Sequence, residues 1–440
     1  MIRRPAAVVL AGILGTAVPL AAQSPLTLPE AIARARAKNP DVGLAAAAER
    51  EAAQRVTQAR AAYLPKLDVT ESWQRGNQPV FVFSSLLAQR QFTADDFALG
   101  ALNRPDALDN FRTAFLVEQP LFDGAAGANV RAAGIGRDMA TTRRLLVDHD
   151  LRFGVTEAFG RVLVAAAANL TASAAIEAAR ADRERASNRR DAGMVTDADV
   201  LQLDVRLART REQQIRAASD ERIARARLNQ VMGEPLDATF FLESTPAAAA
   251  LAVTDLAVLE AEALTNRPDV TLAAQQEQAA AAAAVAARAA FLPQVTAQGG
   301  WELNGGDWKT RASSWGVGAV ARINLFHGFA DKARLAEARE QVTRRSLERG
   351  KAETTARLEV RVAFERLAAA RAGEAIGRAS ADQARESQRI IRDRYEGGLT
   401  DVASLLRAAE AVSQAQTLQA SAQAEVLVAA AELERTLGRR

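Results

Sequence analysis

Four stretches of this chain alternate apolar and polar residues with period two, which predicts β-strands with one apolar and one polar face. One runs over about 293–304, with Val295, Ala297, Gly299, Trp301 and Leu303 on one face and Gln294, Thr296, Gln298, Glu302 and Asn304 on the other. The next, about 313–326, sets Trp315, Val317, Ala319, Ala321, Ile323 and Leu325 against Ser314, Gly316, Gly318, Arg322 and Asn324. Earlier in the chain, about 66–76 sets Leu67, Val69 and Trp73 against Asp68, Thr70, Ser72 and Gln74, with Glu71 as a misfit on the apolar side. The stretch 110–122 sets Phe111, Phe115, Val117 and Leu121 against Arg112 and Glu118.

The remaining pattern is helical. Thr27-Leu28-Pro29-Glu30 is a capping box with proline in the first turn, and Asn39-Pro40 interrupts the helix that follows. That segment stops at Leu64-Pro65. Two proline-free stretches rich in Ala, Arg, Glu, Leu and Val, about 127–190 and 330–394, predict uninterrupted helices. Each would be about 95 Å long at 1.5 Å per residue, longer than a globular core, which points to an elongated coiled-coil body.

The chain repeats itself. Asn39-Pro40-Asp41-Val42 returns as Arg267-Pro268-Asp269-Val270, Tyr63-Leu64-Pro65 as Phe291-Leu292-Pro293, and Trp73 as Trp301, all at an offset of 228. Leu121-Phe122-Asp123-Gly124 returns as Leu325-Phe326-His327-Gly328 at an offset of 204, so the first copy carries 24 extra residues between these elements. Gly193 matches Gly398 at 205. The expected layout is a signal peptide over 1–22, a first repeat over 23–232, a linker over 233–255 and a second repeat over 256–440. The signal peptide rests on Arg3 and Arg4, an apolar run over 6–18, and Leu20-Ala21-Ala22 as the cleavage site.

Alternation alone also fits a soluble, half-buried sheet. The signal peptide, the aromatic residues near strand ends and the charged polar faces favour strands of a transmembrane barrel. Four strands are too few to enclose water, and open edges cannot face lipid, so several chains must share one barrel. Three copies give twelve strands. The connection 77–109 is long and carries the apolar run Val80-Phe81-Val82-Phe83, whereas 305–311 is short. The longer connections of such barrels lie outside the cell.

The doubled order of proline-stopped helix, strand pair, Leu-Phe-x-Gly and long helix with a glycine-containing tip resembles the TolC-like outer-membrane efflux proteins, over essentially the whole mature chain. The resemblance implies a mainly α fold with a small transmembrane β part: a homotrimer whose twelve-stranded barrel continues as an α-helical coiled-coil tunnel. It also implies docking to a periplasmic adaptor (membrane fusion) protein and an inner-membrane transporter. Trp73, Phe115, Trp301 and Trp315 are then expected to face outer-membrane lipid. A type I protein-secretion duct differs only in cargo, and a periplasmic coiled-coil adaptor would leave the four strands unexplained.

Lys and Arg number 56 against 53 Asp and Glu, spread along the chain, so there is no basic patch for nucleic acid. The chain has no cysteine, two histidines and four scattered methionines, and no enzyme motif, so neither catalysis nor a cofactor is expected. Candidate chemistry is confined to the two tips, 190–199 and 394–402, where Gly193, Gly397 and Gly398 turn the chain. There Asp197, Asp199 and Asp401, with Arg407 as a partner for Asp199, form the candidate entrance constriction. Helix capping competes for the same residues: Thr196-x-x-Asp199 is a capping box and Thr400 an N-cap candidate before Asp401.

Overall fold

The computed structural model describes residues 25–242 and 255–439. The expected signal peptide and most of the 233–255 linker lie outside the described residues. The first half runs α1 (Leu28–Lys38), α2 (Pro40–Arg60), β1 (Lys66–Gly76), α3 (Pro79–Ala88), α4 (Leu99–Asn103), β2 (Leu108–Phe122), α5 (Gly124–Asp191) and α6 (Asp197–Met232). The second runs α7 (Leu256–Asn266), α8 (Pro268–Arg288), β3 (Gln294–Gly305), β4 (Ala312–Arg322), α9 (Ala330–Glu396) and α10 (Val402–Thr436). Among the described residues the fold is mostly helical with a small antiparallel sheet.

Local signals set the helix ends. Thr27 caps α1 in the reciprocal arrangement with Glu30. Asn39 ends α1 and starts α2, its side chain accepting from the Asp41 amide at 2.7 Å. The same Asn39 donates to the Val231 carbonyl at 2.8 Å, tying α2 to the end of α6. Arg267 holds the matching place in the second half, donating to the Thr436 carbonyl of α10 and pairing with Asp269 at 2.6 Å and Glu359 at 2.7 Å. Burial opposes that arginine's charge, and its two carboxylate partners more than offset it.

Gly233 and Gly438 close both joints. Each follows its long hairpin with φ near +70°, and a Cβ would lie 2.5 Å from the Lys38 carbonyl oxygen or 2.7 Å from the Asn266 carbonyl group. Only glycine tolerates both the backbone conformation and the contact.

The helices α5 and α9, of 68 and 67 residues, are each about 100 Å long. α5 packs on α6 and α10, α9 on α10, and α8 fits between the two long helices. The core is split along this length. One cluster gathers Phe159, Val155, Val162 and Met232 around α1, and a second gathers Val360, Leu367, Leu433 and Leu437 around α7. A third sits at the tips. α5 also contains a window apolar enough to cross a membrane by composition, little of it buried.

The sheet order is β1-β2-β3-β4, an antiparallel meander with β1 and β4 as open edges. Two expectations need correction. The strand expected over 313–326 ends at Arg322, which pairs with Gln294. Ile323 would stand opposite Pro293, which has no amide to give. Leu121, assigned to the apolar face, lies at a register shift, and Phe122 takes the place opposite Val295.

Candidate functional surfaces: the sheet and the helical tip

The strand pairing aligns the apolar residues into rows. Val69 pairs with Phe115, Phe115 with Trp301, and Trp301 with Trp315, so one row crosses all four strands. A neighbouring row is Leu67, Val117, Gly299 and Val317. Phe115 and Trp301 stack with ring centroids 5.3 Å apart, and Trp73 lies 6.4 Å from Phe111. Trp73, Trp301 and Trp315 are exposed on the isolated chain. The opposite face carries Thr70, Ser72, Arg112, Glu302 and Ser314 along a trough of about 500 Å³. There Arg112 pairs with Glu302 at 2.8 Å.

Glu71, the misfit on the apolar face, has partners that the alternation did not reveal. It accepts from the Thr113 hydroxyl and pairs with Arg311 at 3.6 Å. The Arg311 guanidinium lies 3.9 Å from the Trp308 ring centroid, and Trp308 packs on Phe111. A carboxylate on an apolar face was the available signal, because a charge there requires a counter-charge nearby.

The connection 77–109 is not a plain loop. Pro79 starts α3, and the helix packs on β2, β3 and β4. Phe92 makes edge contacts with Phe83 and Phe97, each at 5.0 Å. The apolar run was legible as a patch, but its placement depended on contacts with the distant β3 and β4.

At the far end of the long helices, Thr196 and Asp199 form the reciprocal capping box of α6. Asp401, not Thr400, is the N-cap of α10 and accepts from the Ser404 amide at 2.8 Å. Hydrogen bonds from Ser404 hold the Asp401 carboxyl below the usual carboxylate range. The geometry therefore gives both residues capping roles. Asp197 is exposed, 3.8 Å from Arg190. Arg407 bonds the Ser404 hydroxyl at 3.1 Å and is not brought to Asp199. Gly193 and Gly398 take φ of +74° and +73°, whereas Gly397 is right-handed.

The residues joining the two tip hairpins are others. Arg189 donates to the Tyr395 carbonyl at 2.7 Å and lies over its ring at 5.2 Å. Arg185 reaches Glu396 at 3.6 Å, and Arg206 donates to the Leu406 carbonyl at 3.0 Å. Tyr395 sits with Leu203, Val402 and Leu405 in the tip core, and burial raises its phenol above the ordinary value while Arg189 opposes this. Arg189 is four residues from Gly193 in sequence, but its aromatic and carbonyl partners come from the second hairpin.

The family model described as outer membrane efflux protein matches residues 31–234 and 259–439. Protein CyaE of Bordetella pertussis is 31% identical over 309 residues, and the match spans 69% of this chain and 65% of that relative's length. The CmeC outer membrane channel of Campylobacter jejuni superposes with a TM-score of 0.78 at 16% identity, over 93% of this chain and 85% of that one. The outer membrane protein VceC of Vibrio cholerae gives 0.75 at 19% identity, over 94% and 96%.

Proposed function

The chain belongs to the outer membrane efflux protein family, and from that premise we propose that it is the exit duct of a tripartite efflux pump. In this reading three copies form one twelve-stranded barrel with the apolar rows toward lipid and the Arg112–Glu302 face toward the lumen. The long helices continue the duct across the periplasm to an adaptor and an inner-membrane transporter, which deliver small-molecule cargo. The observation that carries the reading is the row Val69-Phe115-Trp301-Trp315 across a sheet with two open edges. An exposed apolar face needs a partner, and edges cannot remain unpaired in hydrocarbon.

At the tip, the reading makes Asp197, Asp199 and Asp401 of three copies a ring of carboxylates at the periplasmic entrance, in addition to their local bonds. The decisive experiment is reconstitution of the detergent-extracted protein into planar bilayers. The expected result is a cross-linkable trimer that inserts as a channel with low open probability. A monomer that never forms pores would overturn the reading.

A further inference from the structure

We propose that α3 is a second gate, at the outer mouth: in the assembled barrel the α3 helices of the three copies meet across the lumen and close it with their apolar faces. The proposal rests on the trimeric reading above, and its occupant for the exposed face of α3 is α3 of a second copy of this chain.

Gln89, just past the helix, donates to the Asp109 carbonyl at 2.9 Å and to the Asn110 side chain at 3.0 Å. Asn110 in turn donates to Asn304 at 3.0 Å. By strand alternation Asn110 and Asn304 share their face with Arg112 and Glu302, the polar face. A Cβ on Gly76, also on that face, would meet Phe81 at 3.6 Å. Arg90, held in a left-handed conformation, reaches across to the Ser313 carbonyl of β4 at 3.0 Å. α3 thus lies over the polar side of the mouth end of the sheet, away from the tryptophan rows.

Its outward face does not suit that position in water. Val82, Ser85 and Gln89 are buried, while Val80 and Leu87, on the opposite side of the helix, are exposed, and Phe83 between them is half-exposed with one edge against Phe92. Val80 is 81% and Leu87 50% exposed in the single chain, and no charged residue lies between Asn77 and Gln89. A lipid-seeking helix would lie on the other side of the sheet. In a barrel closed by three copies, polar faces look inward at one another, so the exposed face of each α3 is directed toward its counterparts. Meeting there removes the apolar surface from water. An apolar constriction also stops ions by dewetting while admitting apolar or amphipathic cargo. The second hairpin, with only 306–311 between β3 and β4, contributes no comparable element.

The chain lacks cysteine, which permits a direct test. Gln298 lies on the polar face in register with Glu118, about 20 Å below the mouth. In intact cells carrying Gln298→Cys, a bulky membrane-impermeant maleimide added outside reaches that thiol only through the mouth. Labelling then follows the open fraction of the gate. Adding Val80→Ser with Leu87→Ser is expected to speed labelling by about tenfold or more, equivalent to about 1.4 kcal/mol in the opening equilibrium. Val80→Asn alone, which leaves the buried side of α3 intact, is expected to act in the same direction. Fast labelling that is equal in parent and variants overturns the gate, and so does slow labelling in all of them. Chemical cross-linking of the same samples reads the assembly. A parent without trimers overturns the exit-duct reading, whereas intact trimers with unaltered labelling overturn the gate alone.

Discussion

Arg311 and Glu71, from opposite halves of the chain, pair at 3.6 Å on the apolar side of the sheet beneath the Trp308 ring. Glu71 also takes a hydrogen bond from Thr113, so its charge is tolerated through two partners. Arg311→Met leaves that carboxylate without its cation. It is expected to lower the thermal stability of the assembly by about 1–3 kcal/mol, while Glu71→Gln combined with Arg311→Met recovers most of the loss. Heating series on gels of the single and double variants check this. Equal losses in both would mean that the pair is not coupled.

The two faces of β3 differ in what they tolerate. Trp301→Arg puts a cation in the row that crosses all four strands, at a cost of about 2–4 kcal/mol if that row meets the hydrocarbon midplane. Gln298→Arg adds the same charge to the polar face and is expected to be nearly neutral. Yields of assembled protein in outer-membrane fractions compare the two, and equal yields would mean that the faces are reversed.

Asp199→Asn with Asp401→Asn separates capping from gating. Asparagine retains a side-chain oxygen both at the Asp401 N-cap and at Asp199, the third-residue partner in the Thr196 capping box, so the ends of α6 and α10 should lose little. A carboxylate ring predicts higher resting conductance and weaker cation preference in single-channel recordings, because the substitution removes six charges from a trimer. Unchanged currents would leave capping as the sole role of both residues.

Gly233→Ala should destabilise the joint between α6 and α1, because its Cβ would lie 2.5 Å from a carbonyl oxygen at a φ of +71°. Gly438→Ala should do the same where α10 meets α7, and Gly134→Ala, with open space around it, should not. Strain of this kind costs about 1–3 kcal/mol, readable as a lowered unfolding midpoint. Similar midpoints for all three would show that the joints relax freely.

The elements, their duplication and the apolar and polar faces of the sheet were legible along the chain alone. Those features depend on neighbours in the chain: alternation at period two, proline-free helical runs, the Thr27 and Thr196 capping boxes, and prolines at 40 and 268. The folded chain supplied what required distant partners. It stopped β4 at Arg322 because its partner strand begins after Pro293, and placed Phe122 rather than Leu121 opposite Val295. It set Arg189 on Tyr395 and supplied Glu71 with Arg311. It also laid α3 on the polar side of the sheet, which its uncharged sequence does not foretell. Local pattern specifies which side of an element is apolar. Which surface that side meets depends on contacts between residues far apart in sequence, and only the folded chain brings those residues together.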